Sequence, residues 1–319
     1  MSARPFAYRC LKGSERMWIA DGHCDSILCL ATGAPLVGVH NFSAKYPQLQ
    51  MTAVFAEDRA RFDTLFRDFH AALAQESKRI VQVRTAREIT RTLGAGKHAA
   101  LLTVEGGAGI TTPETVREMY GFGVRVLGLA WHSNALAVSS RHQAEGIPDT
   151  GLTPLGRAAV RAGNACGMIF DVSHLSDASF WQLLETAKTP PVATHSCMRA
   201  LCAHPRNLTD EMARALVARG GMIGVNLYPP FLTKNGENCT VSHYFAHIEH
   251  ALGLLGEDAV GFGGDIDGTD RVYPAPLDES CSIHDTLIEE MARRNYPACL
   301  IAKLAGENWL RYLQKNLPD

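Results

Sequence analysis

The sequence lacks an excess of charge of either sign. Its 31 basic and 33 acidic residues leave a formal net charge of -2 over 319 residues. That excludes the electrostatic footprint that nucleic-acid or anionic-membrane binding needs. Long apolar runs are missing too. No segment approaches 18 uninterrupted apolar residues, so no transmembrane helix is expected, and the opening stretch MSARPFAYRCLKGSERMW has no apolar core long enough for a secretory signal. The nine cysteines, at positions 10, 24, 29, 166, 197, 202, 239, 281 and 299, are odd in number, scattered, and contain no Cys-x-x-Cys pair. They read as reduced thiols rather than as a disulfide framework. Repeats, low-complexity tracts and Pro/Gly/Ser-rich linkers are likewise absent. The expectation is a cytoplasmic chain forming one domain over residues 1–319, with small-molecule partners, no nucleic acid and no membrane. A homodimer is compatible with it.

What is present is a rhythm. With 46% hydrophobic residues the chain can bury a large core, and short apolar, β-branched runs alternate with helical patterns of ten or more residues. Eight such runs stand out: Trp18 to Ala20, Leu49 to Ala56, Ala99 to Val104, Val124 to Ala130, Met168 to Phe170, Pro191 to Thr194, Met222 to Leu227 and Ala259 to Gly263. Between them lie amphipathic stretches such as Arg59 to Gln75, Thr153 to Asn164, Asp177 to Ala187, Thr209 to Arg219, Val241 to Leu255 and His284 to Arg294. Thr112-Pro113-Glu114 and Thr209-Asp210-Glu211 carry helix-start chemistry. Repeated βα units of this kind predict an α/β fold, a (β/α)₈ TIM barrel. The segment Asn226 to Ser242 reads as a long loop over one end of the barrel, either a substrate lid or an ordinary surface connection.

The residues able to bind metal fall immediately after these runs. The first leads into Asp21-Gly22-His23-Cys24-Asp25, the third into Glu105-Gly106-Gly107, the fifth into Asp171-Val172-Ser173-His174, the sixth into His195-Ser196 and the eighth into Gly264-Asp265. In a barrel those loops meet at one face, the C-terminal end of the strands. His23 and Asp25, two apart on an extended strand end, point the same way and can hold one cation. A lone His or Asp at a strand end is usually a turn residue, but convergence of His23, Asp25, Glu105, His174 and His195 outweighs that reading. Their mixed nitrogen and oxygen donors suit zinc or a similar first-row metal, and five ligands suit two divalent ions better than one. A carboxylate such as Glu105 can give one oxygen to each.

Other motifs carry less. Glu105-Gly106-Gly107 and Gly261-Phe262-Gly263-Gly264 match no phosphate-binding fingerprint and read as tight turns. His243, His247 and His250 share a helix face but lack an H-E-x-x-H arrangement, so a solvated or partly buried face is expected. Cys24 and Cys197 could bind a soft metal but are equally explained as small buried side chains, and stay outside the expected ligand set.

At these residues the chain resembles the membrane (renal) dipeptidase family, peptidase family M19, among the amidohydrolase-like barrels. The resemblance runs over nearly the whole chain through DGHCD (21–25), LLTVEGG (101–107), FDVSHLSD (170–177), ATHS (193–196), HPRNLTDE (204–211) and VGFGGDIDG (260–268). It implies that His23 and Asp25 bind one metal, His174 and His195 the other, and Glu105 both, with Asp265 as proton shuttle and Arg206 pairing with a dipeptide's C-terminal carboxylate. The implied activity is zinc-dependent hydrolysis of a dipeptide amide bond by a metal-bridging hydroxide, with tolerance for a D-residue at the C-terminal position. Two departures stand out. Family members usually carry Asn where Cys24 stands. The characterised dipeptidases also place a His after the fourth strand, against the scissile carbonyl, where this chain has Trp131 followed by His132. Either His132 takes that role through a local shift, or the chain treats its substrate differently. The alternatives are another small-amide hydrolase or a lactonase on the same site, and a barrel kept as a binding or scaffold protein.

Overall fold

A computed structural model describes residues 17–107 and 109–319. The N-terminal stretch read above for a secretory signal, and Cys10 within it, lie outside the described residues apart from Met17 and Trp18. Among the described residues eight strands form: β1 (Ile19–Cys24), β2 (Gln48–Phe55), β3 (Ile80–Val83), β4 (His98–Glu105), β5 (Val126–Gly128), β6 (Ile169–Asp171), β7 (Ile223–Val225) and β8 (Val260–Phe262). Every ladder is parallel, and the strands follow the order β6-β5-β4-β2-β1-β8-β7. Parallel strands need crossover connections, and the helices supply them.

The ring closes through residues 191–194, where parallel bridges join Asp171 to Val192 and Ala193 to Ile223. Seven strands and this segment therefore make the eight staves of a (β/α)₈ barrel. The expected run Pro191 to Thr194 holds its place without becoming a ladder. Pro190 and Pro191 offer no N–H, which leaves backbone bonds such as Val192 N to Phe170 O (2.9 Å) and Ala193 N to Met222 O (2.9 Å) to hold it. β3, which the eight expected runs omit, lies off the ring and pairs only with the first half of β4.

Helices form where apolar spacing and caps agree. Arg59–Gln75 and Val241–Leu255 match their expected limits, and Pro154–Cys166, Asp177–Thr186, Asp210–Ala218 and Ile283–Arg293 differ at the ends by up to two residues. Asp58, Thr153, Ser176, Thr209 and Ser282 each accept a backbone N–H of the first turn, a contact worth about 1 kcal/mol apiece. Pro113 occupies the first turn of Pro113–Gly121, as its sequence suggests, although the Thr112 side chain makes no capping bond.

Two apolar layers follow from the pleat. Alternate residues such as Leu49 and Met51 on β2 and Ala99 and Leu101 on β4 share a buried cluster with Trp309, Leu310 and Leu313 of the C-terminal helix Asn308–Asn316. That helix plugs the barrel at the starts of the strands: Trp309 donates to Phe262 O (2.8 Å) and Tyr312 to Pro190 O (2.5 Å). Higher up, the barrel narrows around the carbonyl of Thr194, where a Cβ on Gly22, Gly224 or Gly263 would come within 2.2–2.3 Å of that oxygen. Only glycine permits this approach. The plug leaves the other end, at the strand C-termini, open for a site. The eight described cysteines are free, and among the described residues no helix is long and apolar enough to cross a membrane.

Candidate metal centre

β1 ends by delivering His23 and Asp25, β4 by delivering Glu105, and the turns after β6 and the 191–194 segment by delivering His174 and His195. All five converge in one buried cluster. His23 Nε2 stands 3.4 Å from Asp25 Oδ2 and 3.6 Å from Glu105 Oε2. His174 Nε2 stands 2.7 Å from Glu105 Oε1, His195 Nε2 3.5 Å from the same oxygen, and the two ring nitrogens face each other at 2.9 Å. Glu105 thus turns one oxygen toward His23 and the other toward the His174–His195 pair. Asp265 adds its Oδ1 4.0 Å from His23 Nε2. Ligand atoms of His23, Glu105 and His195, and of His23, Asp25 and Asp265, form two groups each within 4.8 Å.

The cluster has the chemistry of a cation site. His23 Nε2 and Asp25 Oδ1 are buried with no hydrogen-bond partner, a costly state unless something polar fills the space between them. Burial, and then the carboxylates of Glu105 and Asp265, push Asp25 up to about 7 against the pull of His23. Burial also raises Asp265. Burial, helped by Arg206, lowers His174, and burial with the nearby His23 lowers His195 strongly, so both imidazoles are neutral donors. Against the pull of burial, Asp25 and Glu105 raise His23 well above the ordinary imidazole range. Three buried carboxylates facing three imidazoles fit divalent cations, and the nitrogen and oxygen mix fits zinc.

Two outer carboxylates brace the turns that carry the candidate ligands. Asp21, fully buried, accepts from His23 N (2.9 Å), from Gly264 N (2.9 Å) and from His284 Nε2 (2.6 Å), tying the ends of β1 and β8 together. Asp171 accepts from Ser173 N (2.9 Å), Thr194 N (3.0 Å) and the Thr194 hydroxyl, and so joins the turns that carry His174 and His195. His174 and Asp265 have φ of +69° and +53°, a region non-glycine residues occupy only when their surroundings enforce it. Asn226 Nδ2 donates to Asp265 Oδ2 (2.9 Å), holding that carboxylate at the rim of the cluster. A Cβ on Gly268 would come within 2.1 Å of Asp25 Oδ2, so the β8 loop also packs directly on the ligands.

A cavity of about 530 Å³ opens above the cluster, with Asp25, Glu105, His174, Arg206 and Asp265 on its floor. Arg206 is buried; its Nη1 donates to Ser196 Oγ (2.8 Å) and its Nη2 to His195 O (2.8 Å), while Nε has no partner. Among the described residues no carboxylate lies within 4.0 Å of it. The structure brings Trp131, rather than His132, to this cavity. Trp131 packs edge-on to Phe55 (5.2 Å), whereas His132 is 43% exposed and pairs outside with Glu57 (3.0 Å). The local shift that would bring His132 over the ligands is not made, because the indole fills that space.

The segment 226–242 folds into a short helix, Pro229–Leu232, and a 3₁₀ turn, Lys234–Gly236, with Tyr228 and Phe231 lining the cavity. The helix histidines take structural partners: His243 completes the cap with Thr240, His247 bonds Met198 N and Leu232 O, and His250 pairs with Asp210 (2.8 Å). The site reading in sequence assigns no part to Asp171, Thr194, Asn226 or His284. Asp21, Asp171 and Thr194 were accessible to it through their places one to three residues before a ligand; Asn226 and His284 lie far from any ligand in sequence and carry no such signal.

Comparison with known proteins agrees with this geometry. The membrane dipeptidase (peptidase family M19) profile matches residues 15–317. An uncharacterised Klebsiella pneumoniae protein is 32% identical over 249 residues, 76% of this chain and 91% of that protein. An uncharacterised dipeptidase of Schizosaccharomyces pombe is 33% identical over 63% of this chain, which spans only 48% of that protein. Among solved structures, a metallopeptidase of family M19 named dipeptidase AC superposes with a TM-score of 0.84 at 22% identity, covering 96% of this chain and 100% of its own. A Rhodobacter sphaeroides metallopeptidase liganded with a phosphinate mimic of L-Ala-D-Ala superposes at 0.81 with 21% identity, covering 95% and 100%. With the cluster of candidate metal ligands at the open end of the barrel and a family profile matching from residue 15 to residue 317, the chain belongs to the membrane dipeptidase family of metallopeptidases, peptidase family M19.

Proposed function

We propose that the protein hydrolyses the amide bond of dipeptides with two divalent cations, zinc by the donor set, held by His23 and Asp25 on one side, His174 and His195 on the other, and Glu105 between. The observation that carries this is the splayed Glu105 carboxylate, one oxygen toward His23 and the other toward the paired histidines. Bound there, the cations would supply a hydroxide formed near neutral pH and a Lewis acid for the carbonyl.

The remaining work falls to side chains. Arg206, buried without a carboxylate partner, holds the C-terminal carboxylate of the dipeptide and so sets the scissile bond over the cluster. Asp265, raised by burial and held by Asn226, takes the remaining proton of the attacking hydroxide and hands it to the leaving amine. Trp131 packs beside His174 and forms the cavity wall on that side. A D-residue at the C-terminal position is the stereochemistry proposed, in line with the L-Ala-D-Ala mimic bound by the Rhodobacter sphaeroides relative.

A second reading has one observation in its favour: the absence of His132 from the cavity removes a donor that dipeptide carbonyls meet in characterised relatives, which suits a lactone or another small amide. Parallel assays of the zinc-loaded protein on L,L and L,D dipeptides and on lactones separate the two. Turnover confined to dipeptides, higher for the L,D pairs, supports the first; turnover of lactones alone replaces it with the second. A folded, metal-free and inactive protein after purification with zinc supplied would support a scaffold role. The protein is proposed to act in the cytoplasm, as a monomer or homodimer.

A further inference from the structure

We propose that Phe55, Trp131 and Arg141 form a subsite for one substrate side chain, and that the side chain it favours ends in a carboxylate. This rests on the dipeptidase reading above and narrows its substrate class.

The floor of the subsite is aromatic. Phe55 at the end of β2 and Trp131 beyond β5 meet edge to face, with centroids 5.2 Å apart and planes at 74°. The Trp131 centroid is 6.1 Å from that of His174, so the wall begins at the ligand cluster and rises toward the mouth. Leu28 and Ala144 extend its apolar surface. Such a surface takes methylene groups without selecting among them.

Selection comes from charge at the rim. Arg141, on the short helix Ser140–Ala144, lines the cavity and holds its Cζ 5.7 Å from the Trp131 centroid. Its ion-pair partner, Glu145, is 3.9 Å away at the limit of contact, and both side chains are more than half exposed, at 60% and 58%. Pairs of that kind contribute little. The guanidinium is therefore free to exchange Glu145 for a ligand carboxylate, and its planar fork suits that exchange. Asp270, on the loop after β8, also lines the cavity, so the lining carries both signs of charge. A substrate whose methylenes lie on the indole brings an acidic end to Arg141; a basic end would meet Arg141 as a like charge.

The test compares Glu with its neutral isostere Gln, and with Lys as the basic counterpart. For the zinc-loaded protein, kcat/KM is measured on dipeptides carrying Glu, Gln or Lys at either position. The expected order is Glu above Gln above Lys at one of the two positions, with a Glu to Gln ratio of about three to five, the size expected of an exposed ion pair. The ratio should shrink as salt rises. Arg141→Gln should bring it to about one, and Arg141→Glu should invert it in favour of Lys. The readout is the ratio within each protein, independent of overall rate. Equilibrium binding of the same peptides gives the same ratios even if the bond is not cut, so failure of the dipeptidase reading shows in turnover and failure of the subsite shows in binding. A ratio that Arg141→Glu leaves unchanged, or a wild-type preference for Lys, which would give control to Asp270, overturns the proposal.

Discussion

The hydroxyl of Thr194 lies 2.8 Å from Nδ1 of His195 and also bonds the carboxylate of Asp171. A hydroxyl has one proton, and a carboxylate can only accept it. The proton of Thr194 therefore goes to Asp171, and its oxygen accepts from Nδ1–H of His195. That fixes the tautomer: Nε2 of His195 keeps its lone pair, facing His174 Nε2 at 2.9 Å and Glu105 at 3.5 Å. In the proposed site, an outer carboxylate acting through a hydroxyl would so prepare His195 to bind a cation.

Thr194→Val keeps the shape and removes the acceptor for Nδ1–H. Metal affinity at the His174–His195 side should fall by about 10- to 100-fold, read by competition with a chromogenic chelator. Thr194→Ser should restore most of it. Equal affinities in all three proteins would show that the relay does not set the tautomer.

Asp265 is proposed to move protons. Asp265→Asn can still meet Asn226, so zinc content should stay near that of the wild type while kcat falls by about 10²- to 10⁴-fold, the span of a lost general acid–base group. Retained turnover would remove Asp265 from the mechanism, and loss of one zinc would make it a ligand.

For Arg206 the informative comparison is a dipeptide against its C-terminal amide. The wild type should prefer the free carboxylate by at least about tenfold, a charge-assisted fork being worth about 1.5–3 kcal/mol. Arg206→Lys keeps the charge but loses the fork, and the preference should fall with KM rising more than kcat drops. An unchanged preference would leave Arg206 as a purely structural brace beneath His195.

Stability should depend on His98 in acid. Its Nδ1 accepts from Gln48 N (3.2 Å), its ring packs on Phe42 (4.7 Å), and burial, with Arg79 nearby, lowers its pKa to about 4. The folded value lies below the ordinary value of about 6.5, so the unfolded chain takes up the proton first as pH falls. The contribution is complete above about pH 6.5 and is lost on the way down through about 4. The Tm of the wild type should therefore drop more steeply between pH 6.5 and 4.5 than that of His98→Gln. Parallel curves would contradict the assignment.

Much of this was legible because barrel strands end in chemistry. His23, Asp25, Glu105, His174 and His195 each follow an apolar run, so their convergence is legible in the sequence itself. The strand limits were less legible. Ile80–Val83 is four residues long, feeds no ligand and pairs only outside the ring, while Pro191 to Thr194 lacks the N–H groups of a full ladder. The position of Trp131 was written in the chain, but its consequence was not. Whether the indole or the His132 ring enters the cavity depends on Phe55, 76 positions away, and on Glu57, which draws His132 outward. Asn226 and His284 escaped for the same reason: their partners, Asp265 and Asp21, are neighbours only in the closed barrel.

Titration of the metal-stripped protein with zinc, following hydrolysis of L-Ala-D-Ala, tests the two-cation dipeptidase reading most directly. Turnover should be absent without metal, reach its maximum as the second equivalent per chain is bound, and disappear on chelation. A maximum at one equivalent, turnover that survives chelation, or no hydrolysis at two equivalents would contradict the account.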